Sequence, residues 1–416
     1  MPDSPAPSSP SPAAAPRSAL GRAAGRYSRA FAVPGSLAFS SSGWFGRFPK
    51  GSLAIGVLVL VTEVSGSYAL GGAVSGTLTL SLAAAGPVWS RVMDHWGQRR
   101  ALALSLPVLV AASLGLVAAV LLGAPIWSWF ALAVLAGLAV IDIGSAVRSR
   151  WSAATSDPGL RHTAYSVESV ADEAAFVVAP PVVTLLASLV HPAAGVLVGL
   201  AIGVIGSGSL LAQVRTQPPL AVRSPGGRAV PVRLPAALIG VVAVFATIGG
   251  VFGSFNVAAI ATAEAAGADA ASGLLLSVYS IGSVLTGVVV GAAHLPGSPL
   301  SRFVVAGVAF GVVVPVLVFS GSLPVLAVLA FLAGLATSPL LITGSSLVET
   351  ISPRARLTEA LAWPPTGLAI GVTAGSSLSG LAVESLGPQS GFTVTAASAA
   401  LGALLTLATA AALRRR

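Results

Sequence analysis

The sequence predicts an all-α integral membrane protein of twelve transmembrane helices, arranged as two pseudo-symmetric six-helix bundles. Three observations carry that reading: too little charge for water, twelve apolar stretches long enough to cross a bilayer, and basic residues confined to alternate connections. Of 416 residues, 55% are hydrophobic and 8% charged, whereas a soluble domain carries about 25% charged residues. Mean hydropathy is +0.91. So few charges cannot cover a water-soluble body of this size.

A helix crosses a bilayer in about 20 apolar residues. Stretches of that kind fall at roughly 52–70, 72–92, 99–122, 127–149, 164–189 and 192–213, and again at roughly 234–260, 268–293, 301–321, 324–348, 357–384 and 389–412. They are continuous apolar runs without the alternation of a membrane β-barrel strand. The 47 glycines and 29 prolines are compatible with this. Small residues let helices approach closely in lipid, and neighbours can satisfy the carbonyls a proline frees. Residues 1–46 open on MPDSPAPSSPSPAAAPRSALGR, which lacks large apolar side chains and an apolar signal-peptide region. A disordered tail is expected there. The organisation predicted is a tail 1–46, a first bundle 47–213, a linker 214–233 and a second bundle 234–416. The linker is the longest internal connection and is rich in Pro and Arg.

The 22 basic side chains set the topology. Arg17, Arg22, Arg26, Arg29, Arg47 and Lys50 precede the first span. Arg91, Arg99 and Arg100 lie between spans 2 and 3, and Arg148, Arg150 and Arg161 around the 4–5 connection. Arg215, Arg223, Arg228 and Arg233 lie between spans 6 and 7. Arg302, Arg354 and Arg356 follow spans 8 and 10, and Arg414, Arg415 and Arg416 end the chain. The opposite connections hold Glu264, Asp269, Glu384 and His191. By the positive-inside rule the arginine-bearing side faces the cytoplasm, with both termini inside. The excess of positive charge is then a matter of topology, and no nucleic-acid partner is expected.

Several chemistries are absent. With no cysteine, thiolate catalysis and cysteine-ligated metals are excluded. His95, His162, His191 and His294 share no metal-hydrolase spacing, so no metal site, cofactor or enzymatic activity is expected. No GxxxxGK[ST] phosphate loop occurs, which removes ATP-driven chemistry by this chain.

Between spans 2 and 3 stands Ser90-Arg-Val-Met-Asp94-His-Trp-Gly97-Gln-Arg99-Arg100. It resembles the G-x-x-x-D-[RK]-x-G-[RK]-[RK] signature of the major facilitator superfamily. Asp94, Gly97, Arg99 and Arg100 match; Ser90, His95 and Gln98 depart from it. Gly97 suits a sharp turn. A carboxylate at Asp94 can cap a helix N-terminus, and the arginines can pair with it or with lipid phosphate. The segments GSYALGGAVSGTLTL, AYSVESVADEAAFVVAPP and TEALAWPPTGLAIGVTAGSSLSG strengthen a resemblance to actinobacterial members of mixed substrate. The resemblance implies the superfamily fold, alternating access, and a motif loop that latches the two halves in one access state. It also implies that spans 1, 4, 7 and 10 line a central cavity. Ala175, Ala179 and Pro180 resemble the small-residue and proline pattern of drug/proton antiporters in span 5. Val183 and Thr184 depart from that pattern, and span 4 lacks an arginine deep in the membrane.

Acids inside a membrane are costly and point to function. Glu63 in span 1 and Asp142 in span 4 are the proton-coupling candidates, the alternative being structural hydrogen bonds to neighbouring hydroxyls. Glu168 and Asp172 share a face of span 5, with Glu173 turned away. They form either a salt-bridge gate with Arg148, Arg150 and Arg161 or a plain cluster at a helix start. Asn256, Tyr279, Ser338 and Trp363 are the polar cavity candidates of the second half. With no basic residue visible deep in a span, an amphipathic, drug-like cargo is expected over a sugar or a phosphate. The function expected is a monomeric secondary transporter of the cell membrane, exporting a small organic molecule against proton entry. Uptake of a sugar or other small metabolite is the alternative.

Overall fold

The computed structural model describes residues 28–219, 236–292, 296–352 and 357–414. Among the described residues, twelve helical segments are long and apolar enough to cross a membrane. In the first half they are spans 1 (Ser36–Ser65), 2 (Tyr68–Trp96), 3 (Gln98–Leu121), 4 (Ile126–Ala154), 5 (Thr163–Leu189) and 6 (Ala194–Ala212). In the second they are spans 7 (Ala237–Ala265), 8 (Ala271–Val290), 9 (Pro299–Phe319), 10 (Leu323–Ile351), 11 (Trp363–Leu386) and 12 (Pro388–Arg414). No strand occurs among the described residues. One buried core gathers Leu53, Leu60, Leu78, Leu116, Trp129 and Leu200 from spans 1–4 and 6. A second gathers Phe245, Phe255, Phe303, Phe310, Leu347 and Phe392 from spans 7–12.

Span 1 departs from expectation. It begins at Ser36, not near residue 52, so the tail expected over 1–46 does not extend that far. Helices Ser36–Gly46 and Phe48–Ser65 meet at Arg47. Phe39 is buried and its ring meets Trp151 edge-on, with centroids 5.0 Å apart. The serines of SLAFSSSGWFG are used rather than solvated. Ser36 donates to the Ala30 carbonyl, and Ser42 accepts from Gln213 at the end of span 6. Residues 1–27 and the linker from 220 to 235 lie outside the described residues.

Span 4 is broken in its middle. Its first helix ends at Ala139 and its second begins at Ile143, leaving Val140, Ile141 and Asp142 extended or irregular. Unwound backbone inside a membrane must find other hydrogen-bond partners. Trp89 of span 2 donates its indole N–H to the Leu138 carbonyl at 2.7 Å, and Ser105 of span 3 donates to the Ala139 carbonyl at 2.8 Å. Span 5 shows the same accounting at a proline. Pro181 has no N–H for the Val177 carbonyl four residues back. Ser277 of span 8 donates to that carbonyl at 2.6 Å, so a freed backbone group in one half is satisfied from the other.

Spans 7 and 11 pack backbone to backbone. A Cβ on Gly371 would lie 1.8 Å from the Ala246 carbonyl oxygen, and only helix separation would relieve that clash. Gly371→Val is therefore expected to destabilise the protein by about 1–3 kcal/mol. Thermal denaturation in detergent measures this; an unchanged melting temperature would place the two helices apart.

Candidate functional site

The densest cluster of charge joins spans 1, 4 and 5 of the first half. The centre is Arg47, whose side chain is 3% exposed. Its Nη2 donates to Glu168 Oε2 at 2.5 Å and its Nε to Asp172 Oδ1 at 2.5 Å. Glu168 accepts further bonds on Oε1, from Ser40 at 2.6 Å and from the Trp151 indole at 2.9 Å. The second oxygen of Asp172 accepts from Arg148 Nη2. The spacing of Glu168 and Asp172, one helical turn apart, is what turns both carboxylates toward one guanidinium. Each buried charge here faces an opposite one and each carboxylate oxygen has a donor, the condition under which charges persist in a low-dielectric interior.

Beside this network stands a looser pair. Lys50 Nζ meets Asp142 Oδ1 at 3.2 Å, and both side chains are 39% exposed. Asp142 precedes the second helix of span 4 and makes no capping bond to it. Lys50 lies fifteen residues from Ser65 and Asp142 sixteen from Ile126, or about 22–24 Å from that end at 1.5 Å per residue. Charges at that depth would be costly against lipid, and each of the two has the other as its partner.

Hydrogen bonds between the halves gather at the end opposite the arginines. Ser67 and the backbone N–H of Ala69 both donate to Glu384 Oε1, at 2.6 and 2.9 Å. The Tyr68 hydroxyl donates to Glu264. Deeper along spans 2 and 11, Ser376 donates to the Gly72 carbonyl at 3.0 Å and Thr373 to the Gly76 carbonyl at 2.7 Å. A small cavity in this seam is lined by Glu63, Glu264, Asp269, Thr184 and Ser272 among others.

The motif loop takes its sharp turn at Gly97, whose φ is +85°. Asp94 is exposed and forms no ion pair or cap among the described residues. The expected capping contact is thus not made in this arrangement. Arg99 and Arg100 are exposed too, and the Arg99 backbone N–H donates to Gln217. Ser90 bonds the Gly86 carbonyl of its own helix. The buried polar side chain of the loop is Gln98, one of the departures from the pattern. It donates to the Ala146 carbonyl at 2.8 Å and accepts from Arg150 Nε at 2.7 Å. Arg150 also bonds the Leu210 and Gln213 carbonyls and the Thr216 hydroxyl, so it ties spans 3, 4 and 6 together and takes no part in the acid cluster.

The cavity candidates do not converge. Glu63 is third from the end of span 1, in the acidic seam, because the span starts sixteen residues earlier than the sequence suggests; it is not deep in the membrane. Tyr279 is 2% exposed, bonded to Thr337 at 2.7 Å and packed on Phe252 and Phe255, as a core tyrosine needs a hydroxyl partner. Ser338 bonds Ser283 between spans 8 and 10. Asn256 is half-buried in span 7, and Trp363 is exposed at the arginine-bearing start of span 11. Ala179 is buried against Gly51 of span 1, and Pro180 and Pro181 meet Gly273 of span 8. The Glu173 side chain, Arg354 and Arg356 lie outside the described residues. The sequence reading missed Arg47 and Lys50 as intramembrane bases, with Ser40 and Trp151 as partners of Glu168. The expectation that no basic residue lies within a span is therefore corrected, because span 1 runs from Ser36 to Ser65 and contains both Arg47 and Lys50. The available signal was the apolar, charge-free run just before Arg47. Among the described residues no group of three or more His, Asp or Glu is placed to hold a metal ion.

The family profile described as Major Facilitator Superfamily matches residues 38–298 and 240–416. No match is found among curated proteins. Solved structures share the fold. The nucleoside transporter NupG aligns with a TM-score of 0.67 at 15% identity, covering 90% of this chain and 98% of its own. The POT family transporter PepTSo gives 0.65 at 11%, covering 92% and 99%. The human organic anion transporter MFSD10 (TETRAN) gives 0.57 at 15%, covering 90% and 100%. A profile match across nearly the whole chain, twelve spans and two packed halves make this multi-pass membrane protein a transporter, not an enzyme, and it belongs to the Major Facilitator Superfamily.

Proposed function

We propose that the chain is a proton-coupled secondary transporter of a small organic solute in the cell membrane, working by alternating access, with Asp142 as the proton-carrying group. The observation that carries this is the half-exposed Lys50–Asp142 pair, fifteen or more residues from the acidic ends of spans 1 and 4, two spans that line the cavity in this family. A carboxylate there can exchange a proton with water, and doing so breaks or restores its bond to Lys50. Contacts gathered at the acidic end support a state open toward the arginines, and the positive-inside rule puts that opening in the cytoplasm. In this state the motif loop, with Asp94 free, is a disengaged latch, and the contacts of Ser67, Tyr68 and Ala69 with Glu384 and Glu264 form the closed gate. The span-5 pattern of Ala175, Ala179 and Pro180 favours export against proton entry, a direction that the charge balance of the Lys50–Asp142 pair does not support. An amphipathic, uncharged cargo is less favoured with Lys50 inside span 1.

The test is accumulation of a solute panel in proteoliposomes under an imposed pH gradient, with a protonophore control. Asp142→Asn is expected to abolish gradient-driven accumulation while leaving gradient-independent exchange. Full gradient-driven accumulation by Asp142→Asn would refute the coupling role.

A further inference from the structure

We infer that the cargo carries a single carboxylate, which Lys50 binds when a proton occupies Asp142. The inference deepens the proposed function and rests on the reading of this pair as the coupling site. Three positive and three negative side chains meet on spans 1, 4 and 5, but they are unequally committed. Arg47 spans Glu168 and Asp172, and Arg148 holds the other Asp172 oxygen. Ser40 and Trp151 occupy the remaining Glu168 oxygen. Every carboxylate oxygen in that network is engaged, and Arg47 Nη1 is buried without a hydrogen-bond partner. Lys50 is different: it makes one bond of 3.2 Å to Asp142 Oδ1, is 39% exposed, and an ammonium carries three donors.

The charge ledger selects the cargo. The groups around Asp142 are Lys50 from span 1, Arg148 on its own span, and, from span 5, Asp172, which lies against Gly144. Because Arg47 and Arg148 are balanced by Glu168 and Asp172, a proton on Asp142 leaves one uncompensated positive charge, on Lys50. A monocarboxylate restores neutrality. A dianion leaves an uncompensated negative charge in a low-dielectric wall, and a cation meets the repulsion of Lys50. The start of the second helix of span 4, at Ile143, adds a favourable field for an anion. The step balances. A proton from water binds an Asp142 oxygen, the Lys50–Asp142 bond breaks, and Lys50 donates instead to the cargo carboxylate. On the other side cargo and proton leave, and the pair reforms. Proton and anion therefore move in the same direction, in contrast to the antiport suggested by span 5.

The test is a thermal-shift screen of the purified full chain against a panel of monocarboxylates, each with the primary amide and the amine of the same skeleton. Flux of any compound that binds is then compared with protein-free liposomes. Stabilisation by one or more acids, tighter at lower pH, and by none of the amides or amines is expected. Lys50→Gln should weaken acid binding at least about tenfold. Asp142→Asn, which mimics the protonated acid, should keep binding and lose its pH dependence. The double variant Lys50→Gln, Asp142→Asn, neutral like the native pair, controls for folding. Preference for amides or amines, a panel in which no acid binds, acid binding that survives Lys50→Gln, or a zwitterion moving without proton uptake would each overturn the inference. If another compound class accumulates under the pH gradient, the transporter reading stands while the cargo assignment falls; if nothing accumulates, both fall.

Discussion

Arg47→Ala is expected to cost about 3–5 kcal/mol, the usual loss when one partner of a buried ion pair is removed. Arg47 is 3% exposed and faces Glu168, itself 1% exposed, as well as Asp172. Truncation would leave Glu168 charged and buried with only Ser40 and Trp151 as donors, and Asp172 with only Arg148. A domain's net stability is about 5–15 kcal/mol, so little folded protein should be recovered from the membrane. Charge explains the loss, and charge should reverse it. Adding Glu168→Gln and Asp172→Asn to Arg47→Ala removes the uncompensated carboxylates, and the triple variant should regain most of the melting temperature. A single Arg47→Ala variant with native thermal stability would mean that these carboxylates are solvated.

Deleting residues 1–40 should be nearly as damaging, although sequence composition alone suggests a silent change. The deletion removes Ser36–Ser40 from the first turns of span 1. Phe39 is fully buried against Trp151, and losing a buried Phe side chain costs about 3–5 kcal/mol. Ser40 is also one of the donors to Glu168. Deletion of 1–40 should therefore abolish monodisperse purification, and restoring residues 28–40 should recover it. Wild-type behaviour after deletion of 1–40 would show that the first helix begins later than Ser36.

The spans were legible because apolar length is a local property, and their number was checked by arginine placement. What lay beyond reach depended on distant partners. Arg47 and Lys50 look like the basic edge of a loop, because the acids that neutralise Arg47 are 121 and 125 residues away. Asp142 was recognisable as an unusual acid in an apolar run. Its neighbour Lys50 is hidden because apolar length alone starts the first span near residue 52, two residues after it. Glu63 was misplaced by the same boundary error. Tyr279 and Ser338 were read as cavity groups because polarity is visible in a sequence, while a bond to Thr337 or Ser283 across a helix pair is not. The Ser277–Val177 contact was half legible. Pro181 announces a freed carbonyl, but not which helix will satisfy it.

The account turns on the Lys50–Asp142 pair lying in a water path open toward the arginine-bearing side. The chain has no native cysteine, so single-cysteine labelling tests this without background. Lys50→Cys should react with a membrane-impermeant thiol reagent applied from the arginine-bearing side, and Glu63→Cys from the opposite side. A Lys50→Cys variant that is folded yet unreactive from the arginine-bearing side would contradict it.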